Sequence, residues 1–439
     1  MGRRLFGTDG VRGVAGVEIT AQLALALGRA AVLHTDLSAP RVLVIRDTRE
    51  SGAMLESALA AGIASAGGEV TLGGVLPTPA AALLVARHGF DLAAVISASH
   101  NPYGDNGIKF FGGDGFKLSD ETERQIELHI EQDAGGGGSA IGRIQPMAGT
   151  AEDYVDALAG RFEGLSLSGL DVVLDCANGA TFEVAPEIFT RLGAHVTALA
   201  VDPDGRNINE GCGSTHLDTL AAAVRGGVHD VGFAFDGDGD RMLAVDRRGA
   251  LVDGDELLAL AAIHLRDRGR LAGNGVVVTV MTNFGFHTAM AAAGIEVATT
   301  AVGDRYVLEA LRERGWTLGG EQSGHIIELG FGPSGDGIAS ALLVLEALGG
   351  GDLHERAAMA KLPQRLVNVR VRDRGALANA PGVSEAVARE AAELDGRGRV
   401  LVRPSGTEPL VRVMVEAPSV EETDAVCARL VAVVQEQLG

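Results

Sequence analysis

Four short segments each gather several residues of the types that can do chemistry. They are Ser97-Ala98-Ser99-His100-Asn101-Pro102, Asp236-Gly237-Asp238-Gly239-Asp240-Arg241, Glu321-Gln322-Ser323-Gly324-His325 and Arg403-Pro404-Ser405-Gly406-Thr407-Glu408-Pro409. In the second, three aspartates alternate with glycine, whose backbone freedom lets the carboxylates turn toward one point. A few hard oxygen ligands suit Mg²⁺, which completes its shell with phosphate and water. Counted from Asp236, an EF-hand loop needs glycine at the sixth position and glutamate at the twelfth. Arg241 and Arg247 stand there, so the calcium-loop reading fails.

The serine segment follows an apolar strand, a place where Ser99 can act as a nucleophile or carry a phosphoryl group. It lacks the G-x-S-x-G context of a hydrolase elbow, and Asn101-Pro102 marks a turn. Lys109, a little downstream, can neutralise a transferring phosphoryl group, or act as acid and base if its pKa is lowered. Arg12, in the glycine-rich FGTDGVRG, is a second candidate cation. The last segment offers an arginine, two hydroxyls and a glycine that exposes backbone N–H groups, the parts of a phosphate-binding nest. Arg412 can add a second guanidinium. In the third segment the carboxylate of Glu321 and the hydroxyl of Ser323 can hold sugar hydroxyls, and His325 can polarise a substrate oxygen. There is no P-loop, H-E-x-x-H or dinucleotide glycine fingerprint, so ATP, zinc and NAD lack support.

The elements that must position these loops form a unit that recurs three times. Each copy opens with a β-branched run: RVLVIRD from Arg41, DVVLDCANG from Asp171, GVVVTVMTN from Gly275. Such runs read as strands buried on both faces, as in a parallel sheet. A helical, alanine-rich stretch and a second strand follow (GGEVTLGG, GAHVTAL, AGIEVATT), with glycine at the expected helix end. A further helix then leads to the closing strands LAAVIS, VGFAF and WTLGG. The first three polar segments come directly after these closing strands, where open α/β sheets bind ligands. From about Leu366 the pattern changes to an alternating strand, a second strand VRVMVEA and a helix from Val420. The expected fold is α/β: three related α/β domains with mixed, mainly parallel sheets, plus a smaller C-terminal α+β domain, around a central active-site cleft. The expected domains are 1–153 with the serine loop, 154–253 with the aspartate loop, 254–365 with the Glu321 loop and 366–439 with the Arg403 loop.

With 439 residues, 46% of them hydrophobic and 22% charged, the chain is long enough for several cores. Its formal net charge of -21 argues against nucleic acid and anionic membrane as partners. An anion must then be bound by local arginines and backbone amides. Three scattered cysteines without a CxxC pair fit free thiols in a reducing compartment. No apolar run is long enough to span a membrane, and the first residues lack a signal-peptide core, so a cytoplasmic location is expected.

Taken in order, the four loops resemble the α-D-phosphohexomutase superfamily over essentially the whole chain. FGTDGVRG, the VGDRYV segment from Val302 and GEQSGH resemble its bacterial branch acting on glucosamine phosphates. The resemblance implies interconversion of glucosamine 6-phosphate and glucosamine 1-phosphate, on the route to UDP-N-acetylglucosamine and peptidoglycan. It implies a phosphoserine at Ser99 and Mg²⁺ held by Asp236, Asp238, Asp240 and a phosphoserine oxygen. Arg12, His100, Lys109 and Arg241 would stand beside the transferring group. Glu321 and Ser323 would hold sugar hydroxyls with His325 nearby. Arg403, Ser405, Gly406, Thr407 and Arg412 would hold the phosphate that does not react. A sugar 1,6-bisphosphate activator and a homodimer are implied too. The alternatives are a phosphomannomutase or phosphoglucomutase with the same chemistry, a Mg²⁺-dependent sugar phosphatase using an aspartyl nucleophile, and a non-catalytic phosphosugar-binding protein.

Overall fold

A computed structural model describes residues 5–7, 9–132, 140–405 and 408–439. In each of the three repeats the opening strand lies between the other two and parallel to both. Arg41–Arg46 is flanked by Glu69–Val75 and Leu92–Ile96, and Asp171–Asp175 by His195–Leu199 and Val231–Phe235. Gly275–Thr279 is flanked by Glu296–Thr300 and Leu318–Gly320. The chain then turns back, and the next strand pairs antiparallel with the closing one: Asp105–Gly112, Met242–Asp246 and Ile326–Glu328 respectively. Each of the first three polar segments lies in this turn, so three copies of one local topology present three different chemistries. Further strands extend the first sheet to six and the second to five, while the third has four.

The apolar runs are buried for the reason their composition predicts. Every residue of Leu92–Ile96, Val231–Phe235 and Gly275–Thr279 is buried, as strands covered on both faces must be. Burying each Val, Leu or Ile side chain contributes roughly 1.5–3 kcal/mol, which makes these strands firm supports for the loops beyond them. Helix entries are capped by side chains. Thr20 accepts from Leu23, Asp253 from Glu256 and Asp336 from Ala339, starting the helices Ala21–His34, Gly254–Asp267 and Gly337–Leu348.

The described residues fall into two compact units. One runs to Val280 and resumes from Glu296 to Arg356; the other joins Met281–Ile295 to Ala357–Gly439. The second unit holds an antiparallel sheet in the order Gln364–Arg370, Leu410–Glu416, Arg399–Pro404, with the helices Pro381–Leu394 and Val420–Leu438. It also contains the helix Phe284–Ala292. Buried Glu416 anchors that helix by accepting from the Phe284 amide at 2.8 Å, and the same carboxylate takes Arg399 Nε at 2.8 Å. Among the described residues no helix is long and apolar enough to cross a membrane.

Candidate active site

Ser99 sits at the end of the buried strand Leu92–Ile96 and is 1% exposed. Its φ of 51° lies in the left-handed region, which a residue with a side chain enters only when its surroundings hold it there. The holding is visible. The amide of Ser99 donates to Ser97 Oγ at 3.0 Å, and Ser97 Oγ donates to Asp47 Oδ2 at 2.5 Å. Asp47 in turn pairs with Arg49 Nε at 2.8 Å. Arg49, wholly buried, donates from its two terminal nitrogens to the carbonyls of Ser99, Asn101, Pro102 and Asp105. Asn209, from the second repeat, donates to the carbonyls of Ser99 at 2.9 Å and Asn101 at 3.1 Å.

The Ser99 hydroxyl donates to Asp236 Oδ2. Asp236, Asp238 and Asp240 are buried and place ligand oxygens within 4.8 Å of one another. Both glycines between them are required by their surroundings. A Cβ on Gly237 would lie 2.6 Å from the Ser99 carbonyl oxygen, and Gly239 has a φ of 71°. Burial, and then repulsion from Asp240 and Asp238, push the Asp236 carboxyl well above the usual carboxylate range. Burial works on Asp240 in the same direction, but His325, Lys109 and Arg241 outweigh it and hold that carboxyl ionised. Among the described residues, one oxygen each of Asp238 and Asp240 is buried without a hydrogen-bond partner. Mutually repelling carboxylates with orphaned oxygens fit a hard divalent cation, which would relieve both conditions.

Lys109 comes from the antiparallel return strand and is 2.7 Å from Asp238, 3.6 Å from Asp9 and 3.9 Å from Asp240. Burial alone would favour its neutral form; these three carboxylates reverse that and raise its pKa. Arg12 pairs with Asp9 and reaches the cluster through it. His325 Nδ1 lies 3.6 Å from Asp240. Burial disfavours its charge, but Asp240 and Asp304 raise its pKa, while the Gly335 amide 3.2 Å from Nε2 favours the neutral ring. His100 Nδ1 lies 3.3 Å from Ser99 Oγ. Burial, then Arg241 and Arg12, lower its pKa. Arg241 Nε is 3.8 Å from Asp240. Ser99, His100, Lys109, Arg241, His325 and the three aspartates thus form one cluster.

The third loop is closed on itself: the Glu321 amide donates to the His325 carbonyl at 3.0 Å. Glu321 Oε1 accepts from the Gly303 amide at 3.0 Å, while Ser323 Oγ has no partner among the described residues. Arg403, Ser405 and Arg412 belong to the second unit, where Arg403 and Arg412 face each other across two antiparallel strands. Burial, and then the Arg412 charge, lower the Arg403 pKa. Adjacent guanidinium groups that make no ion pair among the described residues suit an anion. Gly406 and Thr407 lie outside the described residues.

The chain matches, in order, the phosphoglucomutase/phosphomannomutase alpha/beta/alpha domain I over residues 3–135, domain II over 152–249 and domain III over 253–365. The C-terminal domain of the same proteins matches over 366–433. The chain belongs to the phosphoglucomutase/phosphomannomutase family. Within that family it is 52% identical to the phosphoglucosamine mutase of Desulforudis audaxviator, over 98% of each chain. A crystal structure of a phosphoglucomutase/phosphomannomutase family protein from Burkholderia thailandensis superposes with a TM-score of 0.83 at 25% identity. That match covers 99% of this chain and 97% of the other. N-acetylphosphoglucosamine mutase from Aspergillus fumigatus, solved in complex with GlcNAc-6P and magnesium, shares the fold with a TM-score of 0.73. Identity there is 20%, over 99% of this chain and 96% of the other.

Several residues of the cluster carry no signal strong enough to single them out from sequence. Lys117 bridges Asp9, at 2.5 Å, and Asp304, tying the first repeat to the third. Asp9 and Asp304 do lie inside FGTDGVRG and VGDRYV. Arg49 and Asp47 stand in RDTRES, which reads as the end of a strand. Thr78, in Leu76-Pro77-Thr78-Pro79, reads as a helix start, yet its hydroxyl donates to Asp238 Oδ2 at 2.6 Å.

Proposed function

We propose that this chain is a phosphoglucosamine mutase. It interconverts glucosamine 6-phosphate and glucosamine 1-phosphate through phosphorylated Ser99 and a sugar bisphosphate. The observation that carries this reading is the near-complete match at 52% identity to a phosphoglucosamine mutase, coupled with Ser99 against the aspartate cluster. In the first half-reaction the bond between Ser99 Oγ and phosphorus breaks, and a bond forms from phosphorus to the free sugar hydroxyl. The hydroxyl proton ends on Ser99 Oγ, the protonation state in which Oγ donates to Asp236. The bisphosphate turns over, and the second half-reaction runs the same step backward from the other phosphate.

Asp236, Asp238 and Asp240 would hold Mg²⁺, with a phosphoserine oxygen beside them. When bound, the ion would supply positive charge to the phosphoryl oxygens. The raised pKa of Lys109 supports a fixed cation rather than an acid–base role, and charge of this kind carries most of the catalysis in phosphoryl transfer. Neutral His100, 3.3 Å from Oγ, is placed to relay the proton. Glu321 and the unpartnered Ser323 hydroxyl would orient the sugar, and Arg403, Ser405 and Arg412 would bind the idle phosphate. A bisphosphate would restore any enzyme that has lost its phosphoryl group. A phosphosugar substrate fits the cytoplasmic location expected from the sequence.

The test is conversion of glucosamine 6-phosphate with Mg²⁺ and catalytic glucose 1,6-bisphosphate, for wild type and Ser99→Ala. A loss of more than about 10⁴-fold is expected for removal of the covalent carrier. Undiminished turnover in the variant would remove Ser99 from the mechanism. A wild type faster on glucose or mannose phosphates would assign it the neighbouring specificity.

A further inference from the structure

Thr78 opens the helix Thr78–His88 and is fully buried. Prolines on both sides fix its backbone before the helix begins. Both of its donors serve one residue of the second repeat. The amide donates to the Asp238 carbonyl at 2.8 Å, and the hydroxyl donates to Asp238 Oδ2 at 2.6 Å. Lys109 Nζ reaches the same Oδ2 at 2.7 Å. Two donors therefore saturate Oδ2, while Oδ1 of the same carboxylate is buried and has no hydrogen-bond partner among the described residues. Asp236 is restrained in a similar way, with Oδ1 accepting from the Arg241 amide at 3.1 Å.

We infer that Thr78 is a positioning residue that keeps Asp238 a one-oxygen ligand and thereby sets the preference of the site for Mg²⁺ over Ca²⁺. This rests on the reading of the three aspartates as metal ligands. Small Mg²⁺ takes a few single carboxylate oxygens and keeps water and phosphate for the rest of its shell. Larger Ca²⁺ takes six to eight oxygens and gains from carboxylates that offer both. Without the Thr78 hydroxyl, Lys109 alone restrains Oδ2, and the carboxylate can turn to present both oxygens. Groups that hold a ligand in place commonly change metal affinity about 10–100-fold when removed.

Thr78→Val keeps the shape and the amide donor but removes the hydroxyl, and Thr78→Ser restores it. Mn²⁺ bound to the full chain is measured by electron paramagnetic resonance, with Mg²⁺ or Ca²⁺ as competitor. In Thr78→Val the affinity for Ca²⁺ relative to Mg²⁺ is expected to rise about tenfold, and Thr78→Ser should return it close to wild type. A merely structural role would weaken both ions alike. An unchanged ratio in folded Thr78→Val, or in Thr78→Ala where the valine variant does not fold, overturns the role of Thr78. A wild type that binds none of the three ions overturns the metal reading, and this inference with it.

Discussion

At Ser99 the main chain is held from outside its own loop: Arg49 and Asn209, remote in sequence, occupy the carbonyls of Ser99 and Asn101. At Ser405, among the described residues, one backbone bond lies within its own turn and one comes from a distant arginine. The Ser405 amide donates to the Leu410 carbonyl at 2.8 Å, and one further residue, Arg374, donates to the Ser405 carbonyl at 2.8 Å. The charges differ as well. Around Ser99 each cation has a carboxylate near it, and the aspartates bind Lys109, Lys117 and His325 in a continuous chain. Arg403 and Arg412 face one another instead. A group that must attack and be attacked needs its oxygen fixed to within a fraction of an ångström. A phosphate that is only gripped needs unbalanced positive charge. The first region should therefore govern turnover, and the second affinity.

The strongest way to break that contrast is Arg49→Lys. An ammonium keeps the charge opposite Asp47 but cannot span four carbonyls with a planar fork. Misplacing Ser99 by about 1 Å is expected to lower kcat on the order of 100-fold, with KM nearly unchanged. Steady-state kinetics on glucosamine 6-phosphate decide the matter. A variant that loses affinity and keeps its turnover would mean that the cage does not govern the serine.

Arg412→Ala is the converse experiment, with a smaller effect. A charge-assisted hydrogen bond to phosphate contributes about 1.5–3 kcal/mol, so KM should rise on the order of 10- to 100-fold. The fall in kcat should be smaller than the rise in KM. Equal losses in the two would show that Arg412 acts in the transition state, and the division of labour would fail.

The two regions were also unequally legible in the sequence. The repeated strands were readable because continuous β-branched runs have few other places to go than the middle of a sheet. The alternating aspartates and the serine after LAAVIS were readable as candidates because residue type and local spacing suggest their chemistry. What holds them was not. Arg49 lies 50 residues from the Ser99 carbonyl it binds, and Thr78 lies 160 residues from Asp238. Such contacts are made by the tertiary fold, and an arginine after a strand or a threonine between prolines looks like ordinary punctuation. The state of Lys109 was open for the same reason: burial and three carboxylates pull in opposite directions, and only their geometry decides. The Arg403 loop is a candidate anion site on sequence alone, since arginine, hydroxyl and glycine stand close together along the chain.

A buried carboxyl whose chain neighbours touch the cluster, Gly335 at His325 and Gly337 at the Gly239 carbonyl, sharpens the point about charge balance. Among the described residues Asp336 pairs with no cation. It accepts from the Tyr154 hydroxyl at 2.8 Å and from the Ala339 amide at 2.9 Å. Burial pushes its pKa up to about 6, against the partial relief of those hydrogen bonds. The folded chain thus holds this proton more tightly than the unfolded one. The stability associated with it is complete below about pH 4 and is lost as pH rises through about 6. Tyr154→Phe removes the one side-chain donor to the carboxylate among the described residues, which raises the folded pKa further and extends the loss to higher pH. The variant should be less stable than wild type by about 1 kcal/mol at pH 8, and the gap should narrow at pH 5, where the carboxyl is protonated in both. Chemical denaturation at the two pH values reads this directly. A gap that does not change with pH would show that Asp336 keeps one protonation state throughout, and that an aspartate here needs no cation to be tolerated in the core.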